Sequence, residues 1–286
     1  MSRNLLILGA APDLSELRDT LVRLEDTIIF ALIERSQFKH NKGIYDAGKM
    51  KFKDGHQGSF LSWFLKEVEC VHAKVRRYQS PDEYPFTDNL PDPVLPPLNY
   101  PPVLVDPAKI NINDEIFNVY VNTVVPEITE RGDDTNYGSS ATRDIECLQA
   151  LSRRIHYGKF VAESKFQDPE HHAEYVRLIR ERNSERLMQL LTNARVEEKL
   201  LKRLKAKAMI YGQDLSSATL DADGCTTVSG ASALLADAST APAEERVKSR
   251  VDYDLVVSLY RDYVIPLTKE VEVEYLLHRL DNSNQK

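Results

Sequence analysis

Several polar side chains in this chain have a spacing that chemistry could use. In LQALSRRIHYGKFVAESKF, Leu148 to Phe166, Arg154 and Lys165 stand 11 residues apart. They lie among Leu148, Leu151, Ile155, Phe160 and Val161, which recur as on a packed helix. At about 100° per residue, that separation returns to within roughly 20° of the same direction, about 16 Å further along the axis. On a solvated face two cations need no explanation. On a buried face they require something negative, because an unpaired buried charge is too costly. Asn193 and Glu197 are four residues apart, as are Thr268 and Glu272, and Arg18 lies one turn into the first expected helix. Helix-face spacing lets each pair act together, although taken singly such residues more often face water. If the face that carries Arg154 and Lys165 is buried, the chemistry on offer is the binding of an anion.

Other chemistries are absent. There is no Walker A motif, no Rossmann glycine pattern, no zincin motif and no G-x-S-x-G turn. PEHHAEY, with Glu170, His171, His172 and Glu174, is the nearest approach to a metal cluster. Adjacent histidines cannot share a helix face, so it reads as a solvated face and no metal is expected. Activity on this chain would have to proceed without cofactor or covalent intermediate. A net charge of −7 over 286 residues argues against bulk nucleic-acid binding. Three widely spaced cysteines (Cys70, Cys147, Cys225) suggest neither a disulfide framework nor a zinc site, and so a reduced, cytoplasmic compartment. The apolar run Leu5 to Leu8 is too short for a signal peptide, and no run approaches a membrane span.

The elements that must position these residues read as all-α, in a single domain over residues 1–286. Leu14, Leu17, Leu21, Leu24, Ile28 and Leu32 have helical spacing after Pro12 and Asp13. A second helix fits Gly58 to Gln79. Pro81 to Pro107 holds nine of the 14 prolines and has no period, so it reads as an ordered excursion or a linker. A helix starts at Asn113, RGDDTNYGSS is a loop, and the long helix carrying Arg154 and Lys165 follows. Further helices are expected over His171–Arg182 and Glu185–Leu191, and then on to Gly212. Leu215 to Pro242 is rich in Ala, Ser, Thr, Asp and Gly and reads as a mobile insertion. The last helix runs from about Asp252 to Asp281, bent near Pro266.

Five segments together resemble the eukaryotic, fungal-type chorismate mutases: LVRLEDTIIFALIERSQF, VRRYQSPDEYPF, NYGSSATRDIECLQALSRRIHYGKFVAESKFQ, ARVEEKLLKRL and VIPLTKEVEVEYLLHRL. The likeness runs in order from about Leu14 to Leu280 and breaks at 215–250 and in parts of the proline-rich run. It implies a helical bundle, an isomerase of aromatic amino-acid biosynthesis, and a substrate, chorismate, with two carboxylates and an enol ether. Its rearrangement to prephenate is an intramolecular [3,3] shift that needs no nucleophile or cofactor, which fits the missing motifs. By this resemblance Arg18 and Arg154 clamp carboxylates, and Lys165 bonds a carboxylate and the ether oxygen. Glu272, kept protonated by burial, donates to that oxygen. Asn193 and Glu197 bind the substrate hydroxyl and a carboxylate, and Thr268 adds a polar contact.

The resemblance also implies a homodimer with a second site at its interface, where tryptophan activates and tyrosine inhibits. The matching residues are Arg76, Arg77, Asn136, Gly138, Ser139 and Thr142. GSSAT opens a helix, whose free N–H groups suit a carboxylate. A helical scaffold without catalysis would equally lack catalytic motifs, but it leaves the matches at Arg18, Arg154, Lys165, Glu197 and Glu272 unexplained.

Overall fold

The computed structural model describes residues 13–98, 102–105, 110–212 and 252–281. Every regular element among them is helical. The expected insertion at Leu215 to Pro242 lies outside the described residues.

Helix α1 (Leu14–Ser36) starts where Asp13 accepts a hydrogen bond from the Ser15 N–H, the role expected of an N-cap aspartate. Its stripe of Leu17, Leu24, Ile28, Ile29 and Leu32 is buried. That stripe packs along α5 (Tyr137–His156), which contributes Ile145, Leu148, Leu151 and Ile155. Each such side chain contributes roughly 1.5–3 kcal/mol by leaving water. The pair forms the spine of the molecule. At one end, Arg35 is fully buried and donates to Asp144 at 2.6 Å and to the carbonyls of Phe38, Lys39 and His40. Tyr45 and Tyr120 donate to the same carboxylate at 2.7 and 2.9 Å. Arg35 thereby ties the chain leaving α1 to α5 and to the segment containing Tyr120.

Helix α2 (Phe60–Lys74) is shorter than the sequence suggests. The helix expected to reach Gln79 stops because Arg76 takes a left-handed conformation, φ 69°, and a 3₁₀ turn follows at Arg77–Gln79. The described part of the proline-rich run is an excursion without helix. It is held by Glu69 of α2, whose buried carboxylate accepts from the N–H groups of Phe86 and Thr87 and from the Thr87 hydroxyl.

Two prolines have the same effect in different places. α3 (Asn113–Val119) passes through a π-helical turn, Tyr120–Val124, into α4 (Val125–Ile128), and Pro126 sits in the first turn of α4. α10 (Tyr253–Leu259) passes through Tyr260–Val264 into α11 (Ile265–His278), with Pro266 placed likewise. A proline cannot donate to the ladder, and the wider π turn accommodates the lost bond without ending the helix. Near Pro266, where the sequence predicts a bend, the helix carries this π turn.

The remaining helices are α6 (Gly158–Phe166), α7 (His172–Arg180), α8 (Ser184–Leu191) and α9 (Ala194–Tyr211). α11 packs on α5, α6, α7 and α8, and α9 packs on α1 and α10. One expectation needs correcting: the stretch from Leu148 to Phe166 is not one helix. It breaks at Tyr157, and Gly158 brings α6 against α11 so closely that a Cβ there would lie 2.8 Å from the Thr268 carbonyl oxygen. Only glycine permits that approach.

Candidate active site

Around the junction of α5, α6 and α11 lies a cavity of about 400 Å³. Seven side chains expected from the sequence to act together line it: Arg18, Arg154, Lys165, Asn193, Glu197, Thr268 and Glu272. Apolar walls come from Leu14, Leu17, Leu21, Val161, Leu191 and Ile265. The seven polar side chains come from five helices, α1, α5, α6, α9 and α11, counting Asn193 as the N-cap of α9.

Arg154 reaches the cavity from the last turn of α5 and is only 4% exposed. Its Nη1 donates to the Thr268 hydroxyl at 3.4 Å, and its guanidinium lies 5.9 Å from the Tyr260 ring centre. No carboxylate pairs with it among the described residues, and its Nε has no hydrogen-bond partner. A buried guanidinium without an ion pair among the described residues makes an anion favourable beside it. Thr268 is oriented by its own bond to the Val264 carbonyl at 2.6 Å.

Lys165, in the last turn of α6, donates to the Leu191 carbonyl at 2.9 Å and to Glu272 Oε2 at 3.1 Å. Glu272 is 6% exposed on α11, a helix with apolar residues all round. Burial pushes its carboxyl above the usual carboxylate range, and the cations Lys165, Arg154 and Lys269 oppose this only in part. Asn193 caps α9, accepting from the Val196 N–H at 3.2 Å, and so sets the first turn on which Glu197 stands. Arg18, on the exposed side of α1, lines the same space.

Sequence reasoning missed part of the lining. Lys269 pairs with Glu197 at 2.8 Å, yet it lies about 100° around the helix from Thr268, so a helix-face reading leaves it out. Asp168, His171 and Tyr175 also line the cavity. PEHHAEY is thus not simply a solvated face. His171 turns toward the site, whereas the ring of His172 packs on Phe166 at 4.6 Å. The signal in the sequence was present, since adjacent helical residues must diverge.

One chain does not bring together the residues expected to bind effectors. Arg77 donates to Glu83 at 2.9 and 3.1 Å and to Gln149 at 2.9 Å. Arg76 donates to the Pro96 carbonyl at 2.6 Å. Asn136, Gly138, Ser139 and Thr142 lie at the other end of α5, where Asn136 makes no side-chain cap and Thr142 bonds the Gly138 carbonyl at 2.8 Å. From Gln149 back to Thr142 and Gly138 the axial separation is about 10 to 16 Å at 1.5 Å per residue.

Fold and cavity define a class of protein: a helical bundle enclosing a small, cation-rich site with a buried carboxyl of raised pKa. Comparison with known proteins narrows it. The family description Chorismate mutase type II matches residues 136–273. A chorismate mutase of Schizosaccharomyces pombe is 45% identical over 273 residues, covering 93% of this chain and 96% of the relative. The crystal structure of the Candida albicans Aro7p chorismate mutase in complex with L-Trp is 42% identical, with a TM-score of 0.81. It spans 94% of this chain and 92% of its own. The structure of AtCM1 with tyrosine bound in its allosteric site is also 42% identical, with a TM-score of 0.77, and spans 95% of this chain and 98% of its own. The chain belongs to the chorismate mutase family, whose enzymes are isomerases.

Proposed function

We propose that the cavity rearranges chorismate to prephenate, and that the seven side chains expected from the sequence perform the reaction. The observation that carries this reading is their convergence on one cavity, with Arg154 buried there and without an ion pair among the described residues. In the reaction one C–O bond breaks and one C–C bond forms in a single cycle of electrons, so no group on the protein need accept or lose a bond. The protein must hold the diaxial conformer and stabilise negative charge gathering on the ether oxygen.

Arg18 and Arg154 clamp the two carboxylates, a task suited to the planar guanidinium fork. Lys165, fixed by the Leu191 carbonyl, bridges a carboxylate and the ether oxygen. Protonated Glu272 donates to the same oxygen from the opposite side chain of the Lys165–Glu272 pair. Glu197 and Asn193 take the ring hydroxyl and a carboxylate, and Thr268 keeps Arg154 in place. No metal or cofactor enters the scheme.

Regulation forms the second half of the proposal. Tryptophan activates and tyrosine inhibits at a site made from Arg76 and Arg77 of one copy and Asn136, Gly138, Ser139 and Thr142 of another. The separation of these groups along α5 supports a homodimer, because a second copy can close the gap. Relatives with L-Trp bound and with tyrosine in an allosteric site support the choice of ligands. We place the enzyme in the cytoplasm.

Loss of chorismate absorbance on adding purified protein, alone and then with tryptophan or tyrosine, tests both halves. The expected result is formation of prephenate, faster with tryptophan and slower with tyrosine. Turnover without an effector response overturns the second site. No turnover by folded protein overturns the first.

A further inference from the structure

We infer that Lys269 is a positioning residue for recognition of the substrate hydroxyl, acting through Glu197. The inference rests on the reading that chorismate occupies this cavity. Lys269 Nζ lies 2.8 Å from Glu197 Oε1, and the two side chains are 20% and 28% exposed. The ion pair therefore sits at the cavity edge rather than in bulk water, where such pairs contribute little. It takes up one carboxylate oxygen, and the other remains to accept from a hydroxyl.

The arrangement of helices gives the pair a second consequence. Glu197 stands on α9, which packs on α1 and α10, whereas Lys269 stands on α11, which packs on α5, α6, α7 and α8. Thr268 and Glu272, on the same α11, face the part of the cavity around Arg154 and Lys165. The ion pair thus sets the distance between the hydroxyl acceptor on one wall and the ether-oxygen donor on another. A glutamate free to rotate would lose orientation, and with it part of the binding of the hydroxyl.

The test compares two substrates in two proteins: chorismate, and its analogue with hydrogen in place of the ring hydroxyl, each with wild-type protein and Lys269→Met. Lys269→Met is expected to lose about tenfold in kcat/KM on chorismate, chiefly through KM, and less than about twofold on the deoxy analogue. Lys269→Arg, which keeps the charge, restores most of the loss on chorismate. Equal losses on both substrates would mean that Lys269 serves the fold or meets a carboxylate directly, and no loss on chorismate would mean that Glu197 is held by other means. Either result overturns the inference. If the wild-type protein leaves chorismate untouched, the failure belongs instead to the proposed function. Should Lys269→Met fail to fold, judged by circular dichroism, Lys269→Gln enters the same comparison.

Discussion

Replacing Glu272 with Gln tests the protonation state on which the proposed chemistry depends. The carboxyl is 6% exposed, and burial raises its pKa more than the Lys165 ammonium 3.1 Å away lowers it. The neutral acid, the only form that donates to an ether oxygen, therefore persists to higher pH than it would in water. Above that pKa each further pH unit leaves tenfold less of it, equivalent to about 1.4 kcal/mol of transition-state stabilisation. The wild-type kcat/KM should thus fall along an alkaline limb with a limiting slope of −1. An amide keeps its N–H at every pH, so Glu272→Gln should stay active and lack that limb. The assay is the initial rate of chorismate loss, below KM, from about pH 5 to 9 at constant ionic strength. Stability supplies a second readout. A carboxyl that binds its proton more tightly folded than unfolded stabilises the protein below its unfolded pKa of about 4.3, and that stability is lost as pH rises through the folded pKa. Gln carries no such dependence, so its thermal midpoint relative to wild type should improve as pH rises. A variant with the wild-type alkaline limb intact would refute the role given to Glu272.

Three further outcomes follow from named contacts. Arg154→Ala should cost about 3 kcal/mol of transition-state stabilisation, roughly 10²-fold in kcat/KM, while circular dichroism shows the fold retained, since the change removes a buried cation that has no ion pair among the described residues. Gly158→Ala would drive a methyl group to 2.8 Å from the Thr268 carbonyl, displacing the α6–α11 seam by a cost of about 1–3 kcal/mol. Urea unfolding should show that loss, with a drop in turnover because Thr268 and Glu272 sit on the displaced helix. Asp144→Ala strands the fully buried Arg35 guanidinium and should destabilise the fold by about 3–5 kcal/mol. In the same unfolding assay, adding Arg35→Leu to that variant should recover part of the loss, because the stranded charge is gone.

Much of the fold was legible because helix formation is written locally. Asp13 and Asp252 cap helices where starts are expected, and the stripe from Leu17 to Leu32 is the buried face. Boundaries failed where a single backbone dihedral decided them. Arg76 at φ 69° ends α2 early, and nothing in VRRYQ marks an arginine for a left-handed conformation. The break at Tyr157 has the same character, since Gly158 could have been tolerated inside one helix. Its reason is the Thr268 carbonyl on a helix more than a hundred residues later.

The candidate site divides along the same line. The family resemblance singled out Arg18, Arg154, Lys165, Asn193, Glu197, Thr268 and Glu272; residue types and helical spacing alone leave each of them readable as a surface residue. Their meeting around one cavity, the burial that raises the Glu272 pKa, and the lack of an ion pair to Arg154 among the described residues are properties of tertiary packing. So is the pairing of Lys269 with Glu197 across two helices. Periodicity tells which side of a helix is apolar; whether a polar side chain on it meets water, a partner or an empty, charged space depends on helices distant in the chain.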